Sequence, residues 1–336
     1  MVALSTIALV SETSLTVDNA DLGPALEQHR QKLIAYCYRM LGSPFEAEDA
    51  VQETFLRAWR GFDRFEGRAA IGSWLHRIAT NVCFDMLKSH DRRIRPMELG
   101  PAKSPEASNL NTLPEVTWIE PIPGTLLGAD DPADVAVSRE TIRLAFVAAL
   151  QQLPPRQRAA LILSEVLRWK ATEVAELLDT SVASVNSALQ RARATLKSSG
   201  ASEGEPAPAM DEDRRALLAR YVSAFERYDI DALTAVIRKD ATQSMPPYDM
   251  WLRGRDDVFT WWFGPGAGCR GSKLIPTMTA NGSPAFGQYK PSPSGGYEPW
   301  ALQVLELSAD GIAELTFFLS TERLFPLFGL PPRLEA

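Results

Sequence analysis

Trp74, Arg77, Asn81, Asp85 and Lys88 stand three and four residues apart, so a helix through them gathers all five on one face. One ring, one amide and two cations suit single-stranded DNA, whose unstacked bases lie against aromatic surfaces while cations hold phosphates. A core tryptophan with solvated neighbours would show the same spacing. Ser184, Asn186, Ser187, Gln190, Arg191 and Arg193 form a second grouping, projecting from a basic helix read over Val182 to Lys197. Asn and Gln pair bidentately with adenine, Arg with guanine or phosphate, and the first residues of such a helix reach base edges in the major groove. A third grouping, Asp49, Gln52, Glu53 and Arg57, is the polar side of an amphipathic helix, which a solvated surface explains equally well.

Bond-making chemistry has no comparable signal. Cys37, Cys83 and Cys269 form no CxxC pair, and only His29, His76 and His90 could join them. Neither a disulfide framework nor a metal site follows, no cofactor is expected, and Cys37 and Cys83 are expected to fill helix cores.

The elements that must position the first groupings are helical. Glu46 to Trp59 opens with acids after Ser43-Pro44, a helix-start pattern, and Ala50, Val51, Thr54, Phe55 and Ala58 make its buried stripe. A Gly-flanked turn, Phe62 to Arg68, leads into a helix from about Ile71 to Lys88. Further on, Pro154-Pro155 starts a helix where a missing N–H costs nothing. Helices over Trp169 to Leu178 and Val182 to Lys197, joined at Asp179-Thr180-Ser181, have the helix-turn-helix arrangement. An ordinary helical hairpin is the alternative.

At 336 residues, two or three domains are expected. The net charge of −7 argues weakly against blanket nucleic-acid binding, yet it is unevenly spread. Arg57 to Arg95 carries nine basic against four acidic residues and Pro154 to Lys197 seven against four, whereas Pro96 to Glu140 carries two against eight. That last stretch, rich in Pro, Ser, Asn and Gly, reads as a linker. Inside it Trp118-Ile119-Glu120-Pro121-Ile122-Pro123 would be costly to leave in water, and is either a docking peptide or a chance cluster. Ser198 to Ala209 is a second breaker run. The expected boundaries are 22–95 and 138–197 for two all-α units, 96–137 and 198–210 for linkers, and 211–330 for a third unit. No apolar run approaches the roughly twenty residues of a bilayer crossing, and Met1 to Val10 has no basic flank, so no membrane association and a cytoplasmic location are expected.

The third unit opens with one or two helices over Asp211 to Lys239. A short helix near Asp256 to Phe263 follows, with strand-like runs at Leu274 to Ala280, Pro284 to Tyr289, Trp300 to Leu307 and Ile312 to Leu319. Helices followed by antiparallel strands indicate an α+β unit, with a hairpin at Ser308 to Gly311. It contains no histidine, so Asp249 or Asp256 would have to serve as any base. Trp251, Trp261, Trp262, Tyr289 and Trp300 fit either a ligand pocket or a core.

EDAVQETFLRAWRGFDRF…SWLHRIATNVCFDML resembles the second region of the group-four, or extracytoplasmic-function, bacterial sigma factors, and LPPRQRAALILSEVLRWKATEVAELLDTSVASVNSALQRARATL resembles their fourth. The resemblance implies a non-enzymatic subunit that binds core RNA polymerase and directs it to promoter DNA. It implies that Asp49, Gln52 and Glu53 grip the polymerase. It assigns Phe62, Arg64, Arg68, Trp74, Arg77, Asn81 and Lys88 to the −10 element, and Ser184, Asn186, Ser187, Gln190, Arg191 and Arg193 to the −35 element. Many relatives carry a basic residue where this chain has Asn186 and another at Ala188, which lowers the expected salt slope of duplex binding.

The third unit resembles the SnoaL-like branch of the nuclear-transport-factor-two-like fold, a curved sheet around a conical pocket. A subset of these sigma factors carries such a domain together with a Trp-Pro linker motif, which implies a regulatory role for Trp118, Pro121 and Pro123. The rival reading is a fused enzyme or small-molecule sensor acting through that pocket. Promoter, inducing signal, pocket ligand, oligomeric state and any anti-sigma protein are not legible.

Overall fold

A computed structural model describes residues 22–65, 67, 70–88, 92–127, 141–198 and 210–335. The first unit holds α1 (Leu22–Glu27), α2 (Arg30–Leu41), α3 (Pro44–Gly61) and α4 (Ile71–Met86). Gly42, at a φ of 78°, ends α2 in the left-handed conformation that closes its N–H onto Tyr38 O. Ser43 then caps α3 by accepting from the Glu46 amide, with Pro44 in the first turn. Ala50, Val51, Thr54 and Ala58 are buried as their spacing requires, against Leu33, Cys37, Leu75, Ala79, Val82 and Cys83.

The second unit holds α5 (Leu144–Gln151), α6 (Pro155–Leu161) with a π turn over Ile162–Val166, α7 (Ala171–Leu177) and α8 (Val182–Ser198). Asp179, at a φ of 50°, turns the chain between α7 and α8. Val174, Ala175 and Leu178 bury against Val185, Leu189 and Ala192. The two helical units share a continuous apolar cluster. Arg158 of α6 clamps them: its buried guanidinium donates to Met40 O at the end of α2, to Gln151 Oε1 at 2.5 Å, to Gln151 O at 3.0 Å and to Leu153 O at 3.1 Å.

The third unit is α+β. α9 (Glu212–Arg227) and α10 (Ile230–Thr234) precede β1 (Ile237–Ser244) and β2 (Trp251–Arg253). α11 (Arg255–Phe263), β3 (Lys273–Pro276), β4 (Ala285–Pro291), β5 (Tyr297–Ser308), β6 (Gly311–Phe318) and α12 (Thr321–Leu327) follow. The strands form one six-stranded sheet in the order β2-β1-β6-β5-β4-β3. Two details differ from the sequence reading. Residues 237–239 begin a strand and do not extend a helix, and β1 runs parallel to β6 in an otherwise antiparallel sheet. A register shift between Ile237 and Thr242 interrupts the alternation that would have marked β1 as a strand.

Tyr221 of α9 packs with Phe286, Leu305, Leu315 and Phe317 on one face of the sheet. Ala285, Leu302, Val304 and Phe318 belong to the other face, and join the cluster that contains Ile119, Ile122 and the helical core. Residues 92–127 are strapped onto this unit. Lys103 N–H donates to Trp251 O at 2.9 Å, Trp251 Nε1 to Gly100 O at 2.9 Å, Leu113 N–H to Pro247 O at 3.0 Å and Gly124 N–H to Thr279 O at 2.8 Å. No helix among the described residues is long and apolar enough to cross a membrane.

Candidate nucleic-acid interface

On α4, the Trp74 ring lies 4.8 Å from Phe65 and 6.3 Å from Phe62, making an aromatic trio that joins the helix to the preceding turn. Arg77 and Asn81 are exposed on the same helix, as is Arg64 in the turn. Arg68 lies outside the described residues. Lys88 pairs with Asp85 at 2.9 Å, and Asp85 also meets Arg57 at 3.2 Å. These two cations hold the Asp85 carboxyl below its ordinary range.

The second unit meets this face at one point. Arg77 Nη2 donates to Glu176 O of α7 at 2.5 Å. A groove of about 310 Å³ between α4 and α7 is lined by Ser73, Trp74, Arg77, Trp169, Glu173 and Glu176 among others. Beside it His76 is buried edge-on between Tyr36 at 5.4 Å and Trp169 at 5.3 Å, its Nδ1 2.8 Å from Gly72 O and its Nε2 without a partner. Burial pushes its pKa down to about 4, because a charged imidazole there would lose its water.

The α8 face is arranged differently. Ser184, Asn186, Ser187, Gln190, Arg191 and Arg193 are all exposed along one helix, and Arg193 pairs with Glu165 at 2.6 Å. This helix can enter a major groove without any unit moving aside.

Asp49 and Gln52 are exposed on α3, and Glu53 pairs with Arg57 at 2.7 Å. Leu56 and Trp59 are 52% and 54% exposed on the same side of that helix. Sequence reasoning passed over these two. Their signal was apolar residues at i+3 and i+4 spacing within a polar stripe, a combination that marks a protein-binding surface.

At the linker, Trp118, Pro121 and Pro123 are buried with Ile119 and Ile122 between the first and third units. Arg93 donates to Trp118 O at 2.7 Å and pairs with Glu46 at 2.7 Å. Glu120 accepts from Ser43 Oγ and lies 3.4 Å from Arg323 of α12. Its carboxyl is raised above the usual glutamate range, burial outweighing the Ser43 hydrogen bond and the nearby arginines.

The face of the sheet that packs on α9 carries a hydrogen-bonded chain. Tyr221 Oη donates to Gln303 Oε1 at 2.8 Å, Gln303 Nε2 to Gln288 Oε1 at 2.9 Å, and Gln288 Nε2 to Ser272 Oγ at 3.0 Å. Trp251, Trp261, Trp262 and Tyr289 are buried, while Trp300 is exposed beneath Lys290. Asp249 pairs with linker Lys103 at 2.8 Å and Asp256 is exposed in the first turn of α11, so neither is a base poised in an apolar pocket. Among the described residues no group of three His, Cys, Asp or Glu side chains is placed to hold a metal ion.

Comparison with known proteins matches two stretches of the chain. A model of Sigma-70 region 2 matches residues 25–93, and one of Sigma-70, region 4 matches residues 143–196. The chain is similar to the ECF RNA polymerase sigma factor SigG of Mycobacterium tuberculosis, at 42% identity over 94% of this chain and 85% of that protein. It is similar to SigJ of the same organism at 31% identity, over 64% of this chain and 62% of that protein. The crystal structure of SigJ, an extracytoplasmic function sigma factor, aligns over 92% of this chain and 100% of its own, at 22% sequence identity and a TM-score of 0.59, and so has the same overall fold.

Proposed function

The chain belongs to the ECF RNA polymerase sigma factors, and from that premise we propose how its surfaces divide the work of starting transcription. As a sigma factor it binds core RNA polymerase and directs it to promoter DNA. Asp49, Gln52 and Glu53 meet the polymerase, with exposed Leu56 and Trp59 supplying the apolar centre of that contact. Ser184, Asn186, Ser187, Gln190, Arg191 and Arg193 read the −35 duplex. Phe62, Arg64, Arg68, Trp74, Arg77, Asn81 and Lys88 hold the unstacked −10 strand, bases against the aromatic trio and phosphates against the cations.

The observation that carries this reading is the aromatic trio beside Arg77 and Asn81 on one helix, within a chain whose recognition helix lies open. In the free chain Arg77 is tied to Glu176 O of α7, so a strand held at Arg77 displaces that contact once polymerase is bound. Trp118, Pro121 and Pro123 form the regulatory segment that the third unit grips. The third unit thereby sets the separation of the two reading units, as a regulator without turnover, and the protein works in the cytoplasm. The satisfied polar chain on the α9 side of its sheet supports that role over catalysis.

Reconstitution with core polymerase on a promoter library tests the reading. Full-length chain should confer initiation at a defined set of promoters, and a chain lacking residues 205–336 should change the output. Core polymerase that gains no initiation, or truncated and full-length chains of equal output, would refute the corresponding part.

A further inference from the structure

In the loop between β3 and β4, Asn281 and Gly282 take φ of 52° and 78°, and Ala280 and Ser283 close on each other through two backbone hydrogen bonds of 2.9 Å. Asn-Gly is a preferred pair for such a two-residue type I′ turn, so backbone geometry alone accounts for an asparagine at this position. Its side chain does something the turn does not require. Asn281 is fully buried, its Oδ1 accepts from the Ile122 N–H at 3.0 Å, and its Nδ2 donates to Tyr38 Oη at 2.7 Å and to Ile142 O at 2.6 Å. Its own N–H donates to Ile122 O at 3.0 Å, and Tyr38 Oη donates onward to Glu120 O at 2.8 Å.

The amide can be oriented only one way. An N–H can only donate and a carbonyl only accept, so Oδ1 must face Ile122 and Nδ2 must face Ile142. Tyr38 belongs to α2 of the first unit, Ile122 to the linker, and Ile142 to the segment leading into α5 of the second unit. One side chain of the third unit therefore touches all three other parts of the molecule.

We propose that Asn281 is the coupling residue through which the third unit holds the linker and both DNA-reading units at a fixed separation. This rests on the reading that the third unit restrains those units. The site is shielded from water, so releasing one arm strands a buried donor or acceptor, and the arms give way together. Moving α7 off α4 carries the second unit, and with it Ile142, away from Tyr38. Loss of the Arg77–Glu176 contact and release of the Asn281 amide are thus one event.

The test uses the full chain with Asn281→Gly and Asn281→Asp. Gly-Gly and Asp-Gly both suit a type I′ turn, so the hairpin survives while the Nδ2 donors are lost. Hydrogen exchange at the Ile122 amide and around Tyr38 should quicken by about tenfold or more, an ordinary size for coupling between sites. Exchange in β5 and β6 should stay as in the parent chain, and promoter output with core polymerase should move in the same direction as on deleting residues 205–336. If both variants keep parental exchange and output while the deletion changes output, the coupling role is overturned and the restraint lies in other contacts. If deletion is silent as well, the restraint reading falls together with it. Asn281→Asp behaving as the parent while Asn281→Gly releases would also overturn the role given to Nδ2.

Discussion

The two surfaces to which we assign DNA differ in their contacts. On α8 the six side chains are exposed and Arg193 pairs with Glu165, whereas on α4 the exposed Arg77 is bonded to a backbone carbonyl of the second unit beside an open groove. Trp169, Glu173 and Glu176 line that groove together with Trp74 and Arg77. On the proposed roles, single-strand capture at Arg77 displaces a contact that duplex reading by α8 leaves alone.

The comparison breaks most severely at Arg158, whose guanidinium ties α6 to the end of α2. Arg158→Ala strands several buried carbonyls and should cost about 3–5 kcal/mol of stability in urea titration. An unchanged midpoint would mean the helical units are not clamped there. Next comes His76, which faces the Tyr36 and Trp169 rings and the Gly72 carbonyl, with His29 and Lys32 nearby. Its folded pKa, about 4, lies below the unfolded value near 6.5, so its contribution is intact above pH 6.5 and is lost as pH falls toward 4. That loss is on the order of 3 kcal/mol. His76→Phe should flatten the decline in a pH series of thermal unfolding, and an equally steep series would contradict it.

Polymerase contact should be less sensitive. Trp59→Ala is expected to weaken core polymerase binding by about 2 kcal/mol, or roughly thirtyfold, as interface aromatics commonly do. Wild-type affinity in a titration would remove Trp59 from the contact. The smallest effects separate the two DNA faces. Trp74→Ala should cost the polymerase complex about tenfold in affinity for a −10 single strand and nothing for a −35 duplex. Asn186→Ala should do the reverse, relaxing preference at one base pair by about tenfold. Parallel losses in both assays would mean that the faces are not independent.

Much of this was legible because it is local. Ser43-Pro44 marks where α3 starts, the three-and-four spacing from Ala50 to Ala58 marks its buried side, and Pro154-Pro155 marks the start of α6. β1 was not legible, because its bulge and the charged run Arg238-Lys239-Asp240 hide the alternation of a strand. The short helix α12, with Pro326 inside it, gave no periodic signal either. Of the site, the residue types on α4 and α8 could be read, but the contact of α4 with the second unit could not. Arg77 and Glu176 lie 99 positions apart, and Asn281 and Tyr38 243 apart, and such pairings are set by packing and not by any local pattern.

The most direct measurement is anisotropy of a labelled single-stranded −10 oligonucleotide, titrated with the free chain and with the chain bound to core polymerase. The proposed division of work predicts weak binding by the free chain and tight, Trp74-dependent binding by the complex. Equal affinity in the two titrations would contradict it.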